Sequence, residues 1–187
     1  HRADERGHRR RGLRARTARP VSDGPAAPVT VERGDVTSAE SLALLRDYLV
    51  DVSNRWDRLH HGRDSTPEEV EQSLAEMPSD DLTAPTGAFV VARRAGLLVG
   101  CAGVRLVRPE VVELKRMYVN ESARGLGVGA ALLGAVEALA RGLGIRLMRL
   151  ETGDPQQAAI RLYERAGYRR CERYGPYVDD PTSVCME

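Results

Sequence analysis

Glu113-Leu-Lys-Arg-Met-Tyr-Val119 is followed, after Asn120-Glu-Ser-Ala123, by Arg124-Gly-Leu-Gly-Val-Gly129 and an apolar run. The pattern predicts a strand, a short polar loop and a glycine-rich turn that opens a helix. Such a turn exposes backbone N–H groups at the positive end of the helix dipole, which favours the binding of anions. The predicted ligand therefore contains phosphates, and a dinucleotide and coenzyme A are the two classes that fit.

The segments around this stretch predict a mixed sheet. β-rich segments upstream are separated by short turns, which is typical of an antiparallel meander, and strands and helices alternate downstream. The predicted strands are a first one around Val29 and Val31, then Ala88–Arg93, Leu97–Leu106, Val111–Val119, Ile145–Glu151, Tyr168–Tyr174 and Ser183–Met186; the downstream helices are Leu126–Arg141 and Pro155–Ala166. The fold class is therefore α/β of the α+β type, with a mostly antiparallel central sheet of about seven strands flanked by about four helices.

Two further helices are predicted between the first and second strands. Asp35 or Thr37 is the expected cap of the first, whose apolar residues form one stripe: Leu42, Leu45, Leu49, Val52 and Trp56. The second begins at Thr66-Pro-Glu-Glu69, where Thr at the N-cap and Glu three residues later form a capping box.

Composition predicts one domain over residues 28–187, preceded by a disordered Arg-rich extension over residues 1–27. Residues 1–20 contain eight arginines and two acids, a net of +6, so the rest of a chain with net charge +1 has about −5. An acidic domain of this kind does not suggest a nucleic-acid-binding fold. The alternative for the extension is a basic arm directed to RNA or a membrane.

The cysteines and the hydropathy indicate a cytoplasmic protein without a membrane span. Cys101, Cys171 and Cys185 have neither zinc-site nor disulfide-framework spacing, and each is expected to be a small buried residue. No metal is therefore expected. No apolar run approaches the roughly 18 residues that a membrane helix needs.

A dinucleotide-binding turn is one interpretation of the glycines. Gly125, Gly127 and Ala130 match the pattern G-x-G-x-x-A, and Glu151 follows about twenty residues later. Against it, a polar loop separates the strand from the first glycine, and that strand is too charged for the centre of a parallel sheet. An NAD-dependent oxidoreductase remains the remote alternative.

The second interpretation is a family resemblance. Arg124-Gly-Leu-Gly-Val-Gly129 is similar to the [RQ]-x-x-G-x-[GA] motif of the GNAT superfamily of N-acetyltransferases. Leu114-Lys-Arg-Met-Tyr-Val119 resembles the fourth strand of that family, and Ala159-Ile-Arg-Leu-Tyr-Glu-Arg-Ala-Gly-Tyr168 resembles its A-x-x-L-Y-E-x-x-G-[FY] segment. The similarity extends from about Val29 to the end of the chain, with three motifs in the family's order and spacing.

The resemblance implies acetyl-CoA as the cosubstrate. In the family the fourth and fifth strands splay apart and the pantetheine arm lies between them, bonded to the main chain of residues that correspond to Met117 and Val119. The implied cofactor-binding residues, from this strand through the glycine turn to the start of a later helix, are Met117, Tyr118, Val119, Arg124, Gly125, Leu126, Gly127, Val128, Gly129, Ala130 and Gln156.

Tyr163 and Glu113 are the candidate catalytic residues. By resemblance, Tyr163 protonates the departing thiolate, whereas the residues alone favour a core aromatic at this position. Glu113 is the candidate base, and period-two alternation places it on the face of Lys115, Met117 and Val119. The alternative for Glu113 is a carboxylate paired with an arginine.

The implied reaction is direct transfer of the acetyl group to a primary amine of a small molecule, amino acid or peptide. Glu151 is a second candidate base, and the loop Tyr174–Asp180 is expected to border the acceptor with its tyrosines and acids, which would favour a cationic acceptor. A coenzyme-A-binding protein without activity is the nearer alternative. No nucleic acid or membrane partner is expected, and a homodimer is left open.

Overall fold

A computed structural model describes residues 27–187, so nearly all of the predicted N-terminal extension lies outside the described residues. Ten regular elements form in chain order: β1 (Val29–Arg33), α1 (Ala39–His61), α2 (Pro67–Glu76), β2 (Gly87–Arg94), β3 (Leu97–Arg108), β4 (Val111–Val119), α3 (Val128–Gly142), β5 (Leu147–Gly153), α4 (Gln157–Arg165) and β6 (Ser183–Met186). Short 3₁₀ turns connect some of them. The order of strands and helices agrees with the predicted one.

The sheet has six strands in the order β1 to β6. Every neighbouring pair is antiparallel except β4 and β5, which are parallel because α3 crosses over between them. The mixed, mostly antiparallel sheet with four helices confirms the predicted fold class. The predicted number of about seven strands is one too high among the described residues.

The segment Tyr168–Tyr174 is the predicted strand that does not form. It contributes one isolated bridge, Arg170 to Met186. Backbone bonds also run from Cys171 N–H to the Cys185 carbonyl at 3.0 Å and in both directions between Arg169 and Glu187 at 2.9 Å. Four of its seven residues are charged and all four are exposed, so it has no continuous apolar face to bury against the sheet.

Helices cover both faces of the sheet. Helices α3 and α4 pack on one face, where Leu132, Leu133, Val136, Ile160 and Tyr163 join apolar residues of β2 to β5 in the main core. Helix α1 packs on the opposite face in a smaller core built around Leu44, Leu45, Phe89, Cys101 and Tyr118. The two faces are named below as the α3 face and the α1 face.

The helix starts show where local sequence is informative. Thr66 forms the predicted capping box with Glu69, and Pro67 is the first residue of α2. The cap of α1 is Ser38 and not Asp35 or Thr37, because the Asp35 carboxylate already accepts the N–H and hydroxyl of Thr37 in a turn before the helix.

The predicted apolar stripe of α1 is partly wrong. Leu45 and Leu49 are buried, but Leu42 and Trp56 are 55% and 41% exposed, and Leu44 is buried in their place. The buried stripe is therefore rotated around the helix relative to the predicted one, toward Ser41 and Leu44. The cysteine prediction holds for Cys101 and Cys185, which are buried, while Cys171 is half-buried.

Candidate functional site

Strands β4 and β5 separate part-way along their length. They pair from Val111 with Leu147 to Leu114 with Leu150, and no further pairs follow although β4 continues to Val119 and β5 to Gly153. We call the opening beyond the last pair the β4–β5 gap. Along it, the β5-facing edge of residues 115–119 has no strand partner in the described part of the chain, so its main-chain groups can bond to an extended ligand.

A β-bulge lies in β4 at the start of this gap. Pairing with β3 shifts register between Cys101–Tyr118 and Gly103–Lys115, and Arg116 has a φ of +55°. The Cys101 thiol donates to the Arg116 carbonyl at 3.3 Å. A bulge turns one residue out of the ladder, so the side chains after it change faces.

The predicted common face of Glu113, Lys115, Met117 and Val119 is therefore wrong. Glu113 and Lys115 contact groups on the α1 face, whereas Met117 and Val119 pack with the core of the α3 face. Alternation with period two holds only while every residue pairs in the ladder. The bulge places the polar pair and the predicted thioester-binding residues on opposite sides of the gap.

The glycine turn lies beside the gap at the N-terminus of α3. Gly125 and Gly127 have φ of +78° and +80°, which favours glycine, and Gly127 is the N-cap without any side-chain cap. The first turn of the helix bonds from Ala131 N–H to the Gly127 carbonyl. The N–H groups of residues 128–130, which precede it, are the intrahelical orphans that can receive an anion.

Gly129 joins this turn to the gap. A Cβ built there would lie 3.1 Å from Leu162 and within 4 Å of Val119 and Met117. A larger side chain would thus enter the space between α3, α4 and the free edge of β4. The cradle fits a phosphate-bearing group whose attached arm runs along β4.

Arg124 has other partners than an anion at this turn. Its guanidinium donates to the Val119 carbonyl at 3.1 Å and to Asp51 of α1 at 3.0 Å. Leu126 is exposed on the turn, and Val128 is buried beneath it. The cofactor contacts predicted for these residues stay predictions.

Glu113 is the centre of a buried polar cluster at the base of the gap. Its side chain is 2% exposed, and Arg105 donates to Oε2 from Nε at 2.9 Å and from Nη2 at 2.7 Å. The hydroxyls of Tyr177 and Tyr174 donate to Oε1 at 3.0 and 3.3 Å. Burial would raise the pKa of Glu113, but the charges of Lys115 and Arg105 and these hydrogen bonds hold it below its usual value.

Lys115 and Glu151 face each other across the gap. Glu151 lies two residues beyond Arg149, the partner of Glu113 in the ladder, so it points to the same face as Glu113 and Lys115. Burial raises the pKa of Glu151, although Ser183 donates a hydrogen bond to it at 2.7 Å. Burial lowers the pKa of Lys115, against the opposing charge of Glu113. Both pKa shifts favour the neutral forms, the carboxylic acid of Glu151 and the amine of Lys115.

Tyr163 lies on α4, in the core of the α3 face. It is 4% exposed within the core of the α3 face, and burial raises the pKa of its hydroxyl, which therefore keeps its proton at neutral pH. The N-cap of the same helix is Gln156, whose side chain makes no capping hydrogen bond. The structure thus places Tyr163 in the core of the α3 face, the face opposite Glu113.

Arg116, which the sequence analysis did not propose for the site, helps to hold β4 in position beside the gap. Arg116, at the bulge, is buried and donates to Ser79 Oγ at 3.1 Å and to the Met77 carbonyl at 2.8 Å, which ties β4 to the end of α2. Its guanidinium also lies 5.9 Å from the centre of the Tyr48 ring. The signal was an arginine in the middle of a strand that is mostly buried, but its partners are more than 35 residues away.

Comparison with known proteins identifies the family. A sequence profile described as the acetyltransferase (GNAT) family matches residues 53–168. The chain belongs to the GNAT family. It is 40% identical over 107 residues to the IAA acetyltransferase of Azospirillum brasilense, which covers 57% of this chain and 70% of that protein.

Two solved structures show the GNAT fold of the chain. A candidate acyl-CoA N-acyltransferase from Klebsiella pneumoniae subsp. pneumoniae is 31% identical with a TM-score of 0.65, and the match covers 84% of this chain and 94% of that one. The PaiA N-acetyltransferase of Thermoplasma acidophilum, solved with coenzyme A, is 17% identical with a TM-score of 0.65. That match covers 85% of this chain and 97% of the PaiA chain.

This GNAT protein is an acetyl-CoA-dependent N-acetyltransferase, as its family and named relatives indicate. The dinucleotide interpretation of its glycines is wrong, because β2, β3 and β4 form an antiparallel meander and not a parallel nucleotide-binding half. Within residues 27–187, no three His, Cys, Asp or Glu side chains come together in a way that could hold a metal ion. None of the described helices is long and apolar enough to cross a membrane.

Proposed function

We propose that the protein transfers the acetyl group of acetyl-CoA directly to a primary amine of a small molecule, amino acid or peptide. The observation that supports this most is the β4–β5 gap, with a free strand edge on one side and the glycine turn at its end. The amides of residues 128–130 would hold the phosphates, and the edge of Met117 to Val119 would bond the pantetheine arm. Acetyl-CoA, when bound, supplies the activated acetyl group.

The acceptor amine must lose a proton before it can attack. An amine with a pKa near 10.4 requires about 4.6 kcal/mol at pH 7, and an α-amine near 7.8 about 1 kcal/mol. Glu113 was the first candidate base, but its carboxylate is saturated by four donor groups and its pKa is lowered. We propose that Glu113 fixes Arg105 and the two tyrosines and that Glu151, with its raised pKa, accepts the proton directly or through water.

Tyr163 is proposed as the acid for the departing thiolate. Its hydroxyl is protonated at neutral pH because burial raises its pKa. A main-chain N–H at the free edge of β4 would polarise the thioester carbonyl, a role that needs no side chain. Base and acid would then stand on opposite faces of the sheet, with the gap between them.

The proposed function is tested by titration of the purified protein with acetyl-CoA in a calorimeter, with NADH as the control. Binding of acetyl-CoA with micromolar affinity, followed by thiol release in the presence of one or more members of a panel of amines, amino acids and peptides, is the expected result. Binding without thiol release for any amine would favour the regulatory coenzyme-A-binding alternative.

Gly127→Ala is expected to weaken acetyl-CoA binding about tenfold. A side chain at φ +80° costs roughly 1–2 kcal/mol, and relaxation of that strain would turn the amides of the cradle away from the phosphates. Calorimetry measures the affinity. The matched control is Gly134→Ala, inside α3, where an added Cβ meets nothing within 4 Å; equal affinities for both variants would contradict the anion cradle.

Glu151→Gln is expected to lower kcat/KM about tenfold at pH 7, because an amide cannot accept the proton of the amine. In the wild type a carboxyl with a raised pKa loses activity as the pH falls through that pKa, and the variant should lack this ascending limb. The pH profile of thiol release measures both effects. Glu164→Gln, at an exposed position of α4, is the control, and a wild-type profile for Glu151→Gln would exclude Glu151 as the base.

A further inference from the structure

Lys115 occupies a special position in the gap. It is the first residue of β4 beyond the last pair with β5, and Met117 and Val119 follow it on the free edge. Its side chain is 19% exposed, so most of it is covered while a part stays accessible to solvent. A group at this point lies where the acetyl end of an arm along the β4 edge would arrive.

Neighbouring side chains hold the amine of Lys115 in place. Its Nζ donates to the Tyr177 hydroxyl at 2.7 Å and lies 3.6 Å from Glu113 Oε1 and 5.4 Å from the centre of the Tyr177 ring. Glu113 is already saturated by Arg105 and two tyrosines, so it does not need Lys115 to satisfy its lone pairs. A primary amine is thus fixed in the space where an acceptor amine must enter.

Lys115 is also the only lysine among the 187 residues of the chain, which contains 27 arginines. A guanidinium is too weak a nucleophile for acetyl transfer because it stays protonated. The only side-chain primary amine of the protein therefore lies inside its own proposed acetyl site.

We propose that Lys115 is a self-acetylation site, acetylated by the acetyl-CoA bound in the same chain. This inference rests on the proposed function. Burial lowers the pKa of Lys115, which increases the fraction of nucleophilic amine at neutral pH.

The step balances without any further reactant. The ammonium of Lys115 loses one proton to water, by way of Glu151, and the neutral Nζ attacks the acetyl carbonyl carbon. A C–N bond forms, the C–S bond breaks, its electron pair leaves with sulfur, and the second proton of Nζ goes to the thiolate. The products are an amide at Lys115, coenzyme A and one released proton. The amide removes a positive charge from between Glu113 and Glu151.

The test is the intact mass of the full chain after incubation with acetyl-CoA, starting from protein whose mass shows a free Lys115. We expect a gain of one acetyl group, mapped to Lys115 by fragmentation of the peptide that contains it. The first-order rate constant, measured as the fraction of protein acetylated per unit time, should saturate with acetyl-CoA and stay constant when the protein is diluted tenfold, since the reaction occurs within one chain. Lys115→Arg should show no side-chain acetylation.

Three results would overturn the proposal. The first is calorimetric binding of acetyl-CoA without any gain in mass at Lys115, which leaves the proposed function intact. The second is a first-order rate constant that falls tenfold on tenfold dilution of the protein, which would show transfer between chains. The third is equally fast acetylation by S-acetyl-N-acetylcysteamine, a thioester without the nucleotide part, at the same concentration, because it would show chemical reactivity alone. No binding of acetyl-CoA would overturn this proposal and the proposed function together.

Discussion

Tyr163→Phe is expected to lower kcat about a hundredfold while the affinity for acetyl-CoA changes less than twofold. The substitution removes only the hydroxyl, so the ring keeps its contacts in the core of the α3 face. Without a proton donor the thiolate must leave as an anion, and the loss of one positioned general acid typically costs 10²- to 10⁴-fold. Single-turnover thiol release and calorimetry measure the two quantities separately.

Tyr168→Phe is the matched control for this acid. Its ring centre lies 5.9 Å from that of Tyr163, but its hydroxyl donates to Glu137 at 3.1 Å, on α3. We expect this variant to turn over at the wild-type rate. A folded Tyr163→Phe protein with unchanged kcat would exclude Tyr163 as the acid, and a Tyr163→Phe protein that does not fold would favour the core role that the residues alone also allow.

The fold was predictable because its signals are local. The capping box at Thr66, the switch to period-two alternation after residue 88 and the glycines before α3 depend on residues close in sequence. One strand prediction failed, and the cause lies in the segment itself. The segment Tyr168–Tyr174 had the length of a strand, but its charged residues left only one bridge to Met186.

The candidate site was predictable only in its main-chain parts. The glycine turn and the free strand were expected from the motifs, since main-chain groups need glycine and strand spacing and no particular side chain. The polar cluster around Glu113 could not be predicted, because its hydrogen-bond partners lie 8, 61 and 64 residues away in the sequence. The bulge at Arg116 reverses the faces of the residues that follow in β4. Its mark in the sequence is a single phase shift, because the alternation of Val112 and Leu114 resumes at Met117, one position out of step.

Glu113→Ala is expected to destabilise the fold by about 3 kcal/mol, near the lower end for breaking a buried ion pair. The deletion leaves Lys115 and the hydroxyls of Tyr174 and Tyr177 facing a cavity, whereas Arg105 is partly exposed and keeps its contact with Asp81 at 2.8 Å. For a domain of this size, that loss corresponds to about 10 °C in Tm. Thermal unfolding monitored by circular dichroism measures it.

The same carboxylate should make the stability of the protein depend on pH. Its pKa is lower in the folded than in the unfolded chain, so its contribution is complete above the unfolded value near 4.3 and is lost as the pH falls through the folded value. Glu113→Gln should therefore lose less stability than the wild type in acid. Glu32→Ala, which removes the exposed partner of Arg93, should leave Tm and its pH dependence nearly unchanged. Equal Tm values for Glu113→Ala and the wild type would contradict the structural role of Glu113. They would mean that Glu113 does not hold the polar cluster together, and Glu113 would again be the candidate base.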